Sequence, residues 1–272
     1  MAVVSRHPFH PGRLARTVIG VVVGTFVLLP LAATLEYTFR DDTGHSFVHW
    51  AAVFDPARAA TLRPLWTGLG NSLVLMAVTV ALVLFLLTPT MLLVNLRFPR
   101  LRRPFEFVAL LPISIPAIVL VVGLTPIYLV IGRTLGTGAW TLAFAYGITV
   151  LPFAYRSIQA SIESLNLTTL AEAARSLGAS WTTVAWRVLV PNLRSGLLAA
   201  SLISVAVVLG EFTIASLLNR QNLQTALVLV NRQDAYVSVI FSLLALAFCF
   251  VLLLAIGRSG RLGAHEWKVP RP

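Results

Sequence analysis

Six runs of this sequence, residues 17–39, 70–94, 105–131, 139–155, 195–218 and 236–257, contain no lysine, arginine or histidine. As a helix, about 20 apolar residues rise about 30 Å, the thickness of a bilayer's hydrocarbon core. Without water, such a run must satisfy its backbone polar groups internally, which a helix does by itself. Composition agrees. Of the 272 residues, 57% are hydrophobic and 11% are charged, too few charges to cover a soluble globule of this length. Intrinsic disorder and a disulfide scaffold are excluded on the same grounds. The expected fold class is all-α, a polytopic membrane protein with six transmembrane helices. The fourth run is the shortest and contains Pro152. The runs hold three carboxylates: Glu36, Glu106 and Glu211.

The basic residues divide unequally between the two sides. Arg6, Arg13 and Arg16 precede the first run. Arg97, Arg100, Arg102 and Arg103 follow the second, and Arg156, Arg175, Arg187 and Arg194 follow the fourth. Arg258, Arg261, Lys268 and Arg271 end the chain. These 15 share one side, while Arg40, Arg58, Arg63, Arg133, Arg220 and Arg232 make 6 on the other. The positive-inside rule puts the larger set in the cytoplasm, with both termini. The resulting organisation is a cytoplasmic tail over 1–16, a six-helix domain over 17–257 and a cytoplasmic tail over 258–272. The formal charge of +11 is then a topology signal with some attraction to anionic lipid, and no nucleic acid is needed to explain it. The first run also suits a cleaved leader, given its basic start and Ala32-Ala33. Its apolar character continues past Pro30, which favours a span. In the outer segment 41–67, Trp50, Phe54 and Trp66 suit either an interfacial helix near 47–60 or a packed loop. Residues 223–230 suit a short helix dipping into the membrane or a surface loop.

Rare residues narrow the chemistry. The one lysine, Lys268, precedes Val269, so the Gly-Lys-Ser/Thr of a phosphate-binding loop is missing. The one cysteine, Cys249, forms no intrachain disulfide and no thiolate cluster. His7, His10, His45, His49 and His265 all lie outside the runs, which argues against a metal or haem site within the membrane. A membrane enzyme needs converging His, Asp, Ser or Cys inside the spans, and these runs supply few. The chain reads as no enzyme, without a catalytic, cofactor or metal site of its own.

The loop between the fourth and fifth runs, about 157–194, is patterned. Thr169 with Glu172 fits a capping box, Gly178 suits a left-handed turn, and Ser180 suits the cap of a helix over 181–188 that stops before Pro191. The result is two short helices on the cytoplasmic face. A DNA-reading helix-turn-helix shares this outline and is disfavoured by the membrane setting. Glu172-Ala173-Ala174, then three residues, Gly178, then nine residues, Val188-Leu189-Val190-Pro191 resembles the EAA loop of ABC importer permeases. Val188 and Val190 stand where that family has Ile and Leu. Leu111-Pro112 with Pro116, Leu151-Pro152-Phe153 and Gly210-Glu211-Phe212 resemble the same family, nearest its spermidine/putrescine-type and iron(III)- or sulfate-type branches. The likeness extends over about residues 70–257.

The resemblance implies the type I importer permease fold in a prokaryotic plasma (inner) membrane. It implies a second permease subunit, identical or homologous, and two cytoplasmic ATPase subunits that bind ATP and magnesium. It also implies an extracytoplasmic solute-binding protein. Glu172 would meet a basic group of the ATPase, Ala173 and Ala174 would allow close approach, Gly178 would permit the turn, and Pro191 would close the motif. The cargo implied is a polyamine or another small polar or ionic solute. From the residues themselves, Ser114, Pro116 and Thr125 are candidates to line the pathway, because prolines free carbonyls that must face protein or water. Glu211 suits either a cation pathway or a structural role at a helix break. Glu106 reads as an interfacial ion pair with Arg102 or Arg103. The rival readings are an ion-coupled secondary transporter and a non-transport membrane scaffold. Neither accounts for the patterned loop.

Overall fold

The computed structural model describes residues 12–42 and 44–262; Arg6, Lys268, Arg271 and the rest of the outermost tails lie outside them. The described residues are all-α apart from a hairpin of two-residue strands, β1 (Arg40–Asp41) paired antiparallel with β2 (Gly44–His45). The helices run α1 (Arg13–Tyr37), α2 (Val48–Ala52), α3 (Ala59–Leu82), α4 (Thr88–Leu96), α5 (Arg102–Leu110), α6 (Ala117–Thr134) and α7 (Ala143–Ser164). They continue with α8 (Leu167–Ser176), α9 (Trp181–Thr183), α10 (Val190–Asn192), α11 (Arg194–Gly210), α12 (Thr213–Leu217), α13 (Leu223–Asn231) and α14 (Ala235–Leu262). Two π-helical turns, Val83–Leu87 and Val184–Leu189, join α3 to α4 and α9 to α10.

Two apolar clusters hold these helices together. In the first, Leu65 and Leu75 of α3 meet Tyr146 of α7, Val208 of α11, Leu223 and Leu227 of α13, and Val237 and Ile240 of α14. In the second, Met91 of α4 meets Tyr155 and Ile158 of α7, Val184 and Leu189 of the π turn, Leu193 before α11 and Ala200 of α11. Helices α7 and α11 span both clusters and pack closely on each other. A Cβ on Gly196 would lie 2.8 Å from the Ser157 carbonyl and 2.7 Å from the Ser161 Cβ, so only glycine permits this approach. The outside is apolar: Phe26 is 80% exposed, Val122 70% and Phe85 66%. An apolar exterior this extensive suits hydrocarbon, not water. None of Leu14–Tyr37 is buried, and α1 meets the rest through Tyr37, stacked on Tyr236 at 4.8 Å.

Among the described residues, four helices are long and apolar enough to cross a membrane: Leu14–Tyr37, Pro56–Leu96, Ala117–Thr134 and Ala235–Ala255. A fifth crossing results if Trp181–Asn192 and Arg194–Gly210, bent by 73°, act as one span. The expected runs differ from these in physical detail. Span two starts earlier: α3 begins at Ala59 and continues through Pro64, its sixth residue, without ending there. Span three is broken. Ile115, preceding Pro116, is pushed to φ −103°, ψ 119°, and α6 restarts at Ala117. Pro126, by contrast, sits inside α6 without ending it. Span four falls on α7, which outlasts the apolar run and carries Arg156 and Glu163 in its last turns. Span five stops at Gly210, where Glu211 turns extended at ψ 118°. Of the expected interfacial helix only α2 and a 3-10 turn, Pro56–Arg58, form. Residues 223–230 lie within α13, packed between α3 and α14.

Candidate coupling site

The patterned loop folds as a helix pair, with different caps from those expected. Asn166, not Thr169, caps α8: its Oδ1 accepts from the Thr169 N–H at 3.3 Å. Asparagine is the stronger cap and lies one turn upstream, so the helix begins earlier. Glu172 is thereby released from the cap to the exposed face of α8, beside exposed Ala173 and half-buried Ala174. Gly178 has φ +83°, as the turn requires, and a Cβ there would meet nothing within 4 Å. The turn is therefore open in this chain. A substituent strains the backbone but does not collide with its own protein.

Ser180 caps the second helix as expected, its Oγ accepting from the Thr183 N–H at 3.2 Å. That helix does not stop before Pro191. It continues through the π turn Val184–Leu189 to Asn192, with Pro191 in the opening turn of α10. The π register shifts the carbonyls that an α-helix would drive into the proline ring. Fully buried Leu193 then anchors the 73° bend into α11. Arg175 braces the turn between the helices: its Nη1 donates to the Ala179 carbonyl at 2.8 Å, and its guanidinium lies 5.4 Å from the Trp181 ring centre. Leu167 and Ala171 are buried against the second cluster, so α8 is seated on the same core as α7 and α11.

Sequence reasoning missed Leu177, which is 90% exposed at the tip of the helix pair beside Gly178. An apolar residue between a helix end and a left-handed glycine is its only sequence signal. It also missed the polar brace beneath the loop. Asn95 Nδ2 donates to the Met91 carbonyl at 2.8 Å and to Gln159 Oε1 at 3.4 Å, and Gln159 Nε2 donates to Glu163 Oε1 at 3.0 Å. Arg102 pairs with Glu163, not with Glu106 as expected; Glu106 instead faces Arg156 at 4.0 Å. Helix α7 brings those partners across from another element, which spacing along α5 does not reveal. The Gln159 hydrogen bond, with Arg102 adding to it, holds the Glu163 carboxyl below its ordinary range.

Among the described residues, no hydrogen bond joins one pathway candidate to another. Ser114 and Pro116 are exposed at the break before α6. Thr125 is exposed, and its hydroxyl donates to the Val121 carbonyl of its own helix at 2.8 Å. Glu211 caps α12, with both carboxylate oxygens accepting from the Ile214 N–H at 3.0–3.1 Å. Behind it, buried Asn222 donates to the Glu211 carbonyl at 2.7 Å and to the Tyr146 hydroxyl at 3.1 Å. Asn222 and Thr225 form a capping box for α13, a pattern visible in sequence as Asn-x-x-Thr before an apolar run.

No curated protein matches the chain. The family model described as the binding-protein-dependent transport system inner membrane component matches residues 89–259, from α4 through the helix pair and the 73° bend into α14. With well over half of its length inside that model, the chain belongs to this family of inner membrane transport components, the permease subunits of ABC importers.

Proposed function

We propose that the chain, with a second permease, forms the translocation pathway of an importer and receives force through the helix pair 167–192. In this reading six spans place both termini and the helix pair in the cytoplasm. Two ATPase subunits, holding ATP and magnesium, engage the pair from below. Glu172 presents a carboxylate to a basic group of the ATPase, Ala173 and Ala174 keep the approach close, and Leu177 fills an apolar pocket there. Pro191 and the π turn before it shape the arm that leads to the bend. An extracytoplasmic solute-binding protein delivers the cargo, a polyamine or another small polar or ionic solute, to the opposite face. Ser114 and Pro116 border the path at the break before α6 and Thr125 borders it midway along α6, while Glu211 holds the break in α11–α12 rather than touching cargo.

The observation that carries this reading is mechanical. The helix pair exposes Glu172, Ala173 and Leu177 on one side, while its other side is seated in a core shared with α7 and α11. A push on the exposed side therefore moves the base of α11 through packed side chains, because close-packed interiors transmit strain. The test is Gly178→Asp alongside Gly178→Ala. At φ +83° either side chain adds about 1–2 kcal/mol of backbone strain, and Asp also brings charge to the docking face. Gly178→Asp is expected to insert normally, hydrolyse ATP in the assembled complex and lose solute uptake, with Gly178→Ala intermediate. Wild-type uptake by Gly178→Asp would sink the coupling assignment. Purification of the chain without an ATPase would favour a scaffold.

A further inference from the structure

We propose that the groove between α4 and the bent α9–α11 segment binds one anionic diacyl phospholipid, its headgroup held by Arg97 and Arg194. The groove encloses about 950 Å³, and its walls include Phe85, Leu92, Trp181 and Trp186. From Leu84 to Arg97 its α4 side rises ~20 Å at 1.5 Å per residue. That exceeds half of a ~30 Å hydrocarbon core, so one leaflet's acyl chain fits along it.

Polarity is confined to one end. Only two hydroxyls line the apolar length, and both are engaged: Thr88 Oγ1 donates to the Val83 carbonyl at 3.0 Å, and Ser201 Oγ to the Leu197 carbonyl at 2.8 Å. A polar solute placed there would lose its hydration without finding partners, which disfavours transported cargo and favours hydrocarbon. At the other end, Arg97 and Arg194 are exposed, and among the described residues no carboxylate pairs with either. Two guanidiniums above an apolar slot match a phosphate above two acyl chains. Trp181 and Trp186, 48% and 57% exposed, place indoles where such rings favour the headgroup zone. Both π turns contribute walls, Leu84 and Phe85 from one, Ala185 and Trp186 from the other. π turns of this kind are frequent at functional positions. The site thus lies against the elbow that joins the helix pair to α11, and a bound lipid would wedge it.

The test is native mass spectrometry of the full chain, purified in its complex, with equal phosphatidylglycerol and phosphatidylcholine in the detergent. The wild-type chain is expected to retain phosphatidylglycerol preferentially. Arg97→Gln with Arg194→Gln should weaken that retention about fivefold for each arginine, roughly 25-fold for the pair. Arg100→Gln with Arg103→Gln, which alters nearby arginines outside the groove, should leave it within about twofold if the groove is the site. Equal retention of the two lipids by the wild-type chain, or equal losses in the two double variants, would overturn the site. In a second measurement, brominated phosphatidylglycerol should quench a fluorescence component that Trp186→Phe removes. Failure to quench that component would mean that a protein helix, not lipid, fills the groove.

Discussion

Glu211 lies where α11 ends, and both of its carboxylate oxygens accept the Ile214 N–H. The short α12 has no other side-chain cap, so this carboxylate satisfies a donor that would otherwise be unpaired. Gln retains one accepting oxygen and Ala retains none. Glu211→Gln is therefore expected to keep the wild-type apparent affinity for solute in uptake assays. Glu211→Ala should cost about 1 kcal/mol, seen as a melting point a few degrees lower in detergent. A marked rise in apparent KM for Glu211→Gln would place the carboxylate in the cargo path instead. The left-handed turn at Gly178 is legible from its place after a run of good helix formers, because only glycine holds φ +83° without strain. The 90% exposure of Leu177 is not, since an apolar residue is equally at home in a core.

Helices α7 and α11 form the axis between the helix pair and the rest of the chain. Their contact depends on Gly196 facing Ser157 and Ser161. Gly196→Val drives a side chain into the Ser157 carbonyl, which cannot rotate away. The expected loss is about 1–3 kcal/mol, as for other overpacked contacts, measured by thermal unfolding in detergent. Ser161→Gly in the same chain should recover part of it, because one of the two obstacles is removed. No recovery would mean that the helices approach elsewhere. Element boundaries were legible where one residue type dictates the backbone: Pro116 breaks the third span and Ser180 starts the second short helix. They were misread where neighbours compete. Asn166 outranked Thr169 as a cap, and the π turn carried the helix past Pro191.

At the scale of the whole molecule, orientation is testable because the chain has a single cysteine. In a Cys249→Ser background, Asp42→Cys and Gln233→Cys are expected to react with a membrane-impermeant maleimide in intact cells. Arg100→Cys and Ser176→Cys should react only after permeabilisation. Labelling of all four on one side would refute the six-span topology. The class of solvent, the helical fold and the position of the patterned loop all follow from the order of residues along the chain. Runs of about 20 mainly apolar residues leave a chain few other options in water or lipid. Tertiary packing was needed to show that Asn222 ties α13 to Glu211 and Tyr146, and that Arg102 pairs with Glu163. Those outcomes depend on which helices become neighbours. Hydropathy along one segment records whether it enters the membrane, and holds no record of what lies across from it.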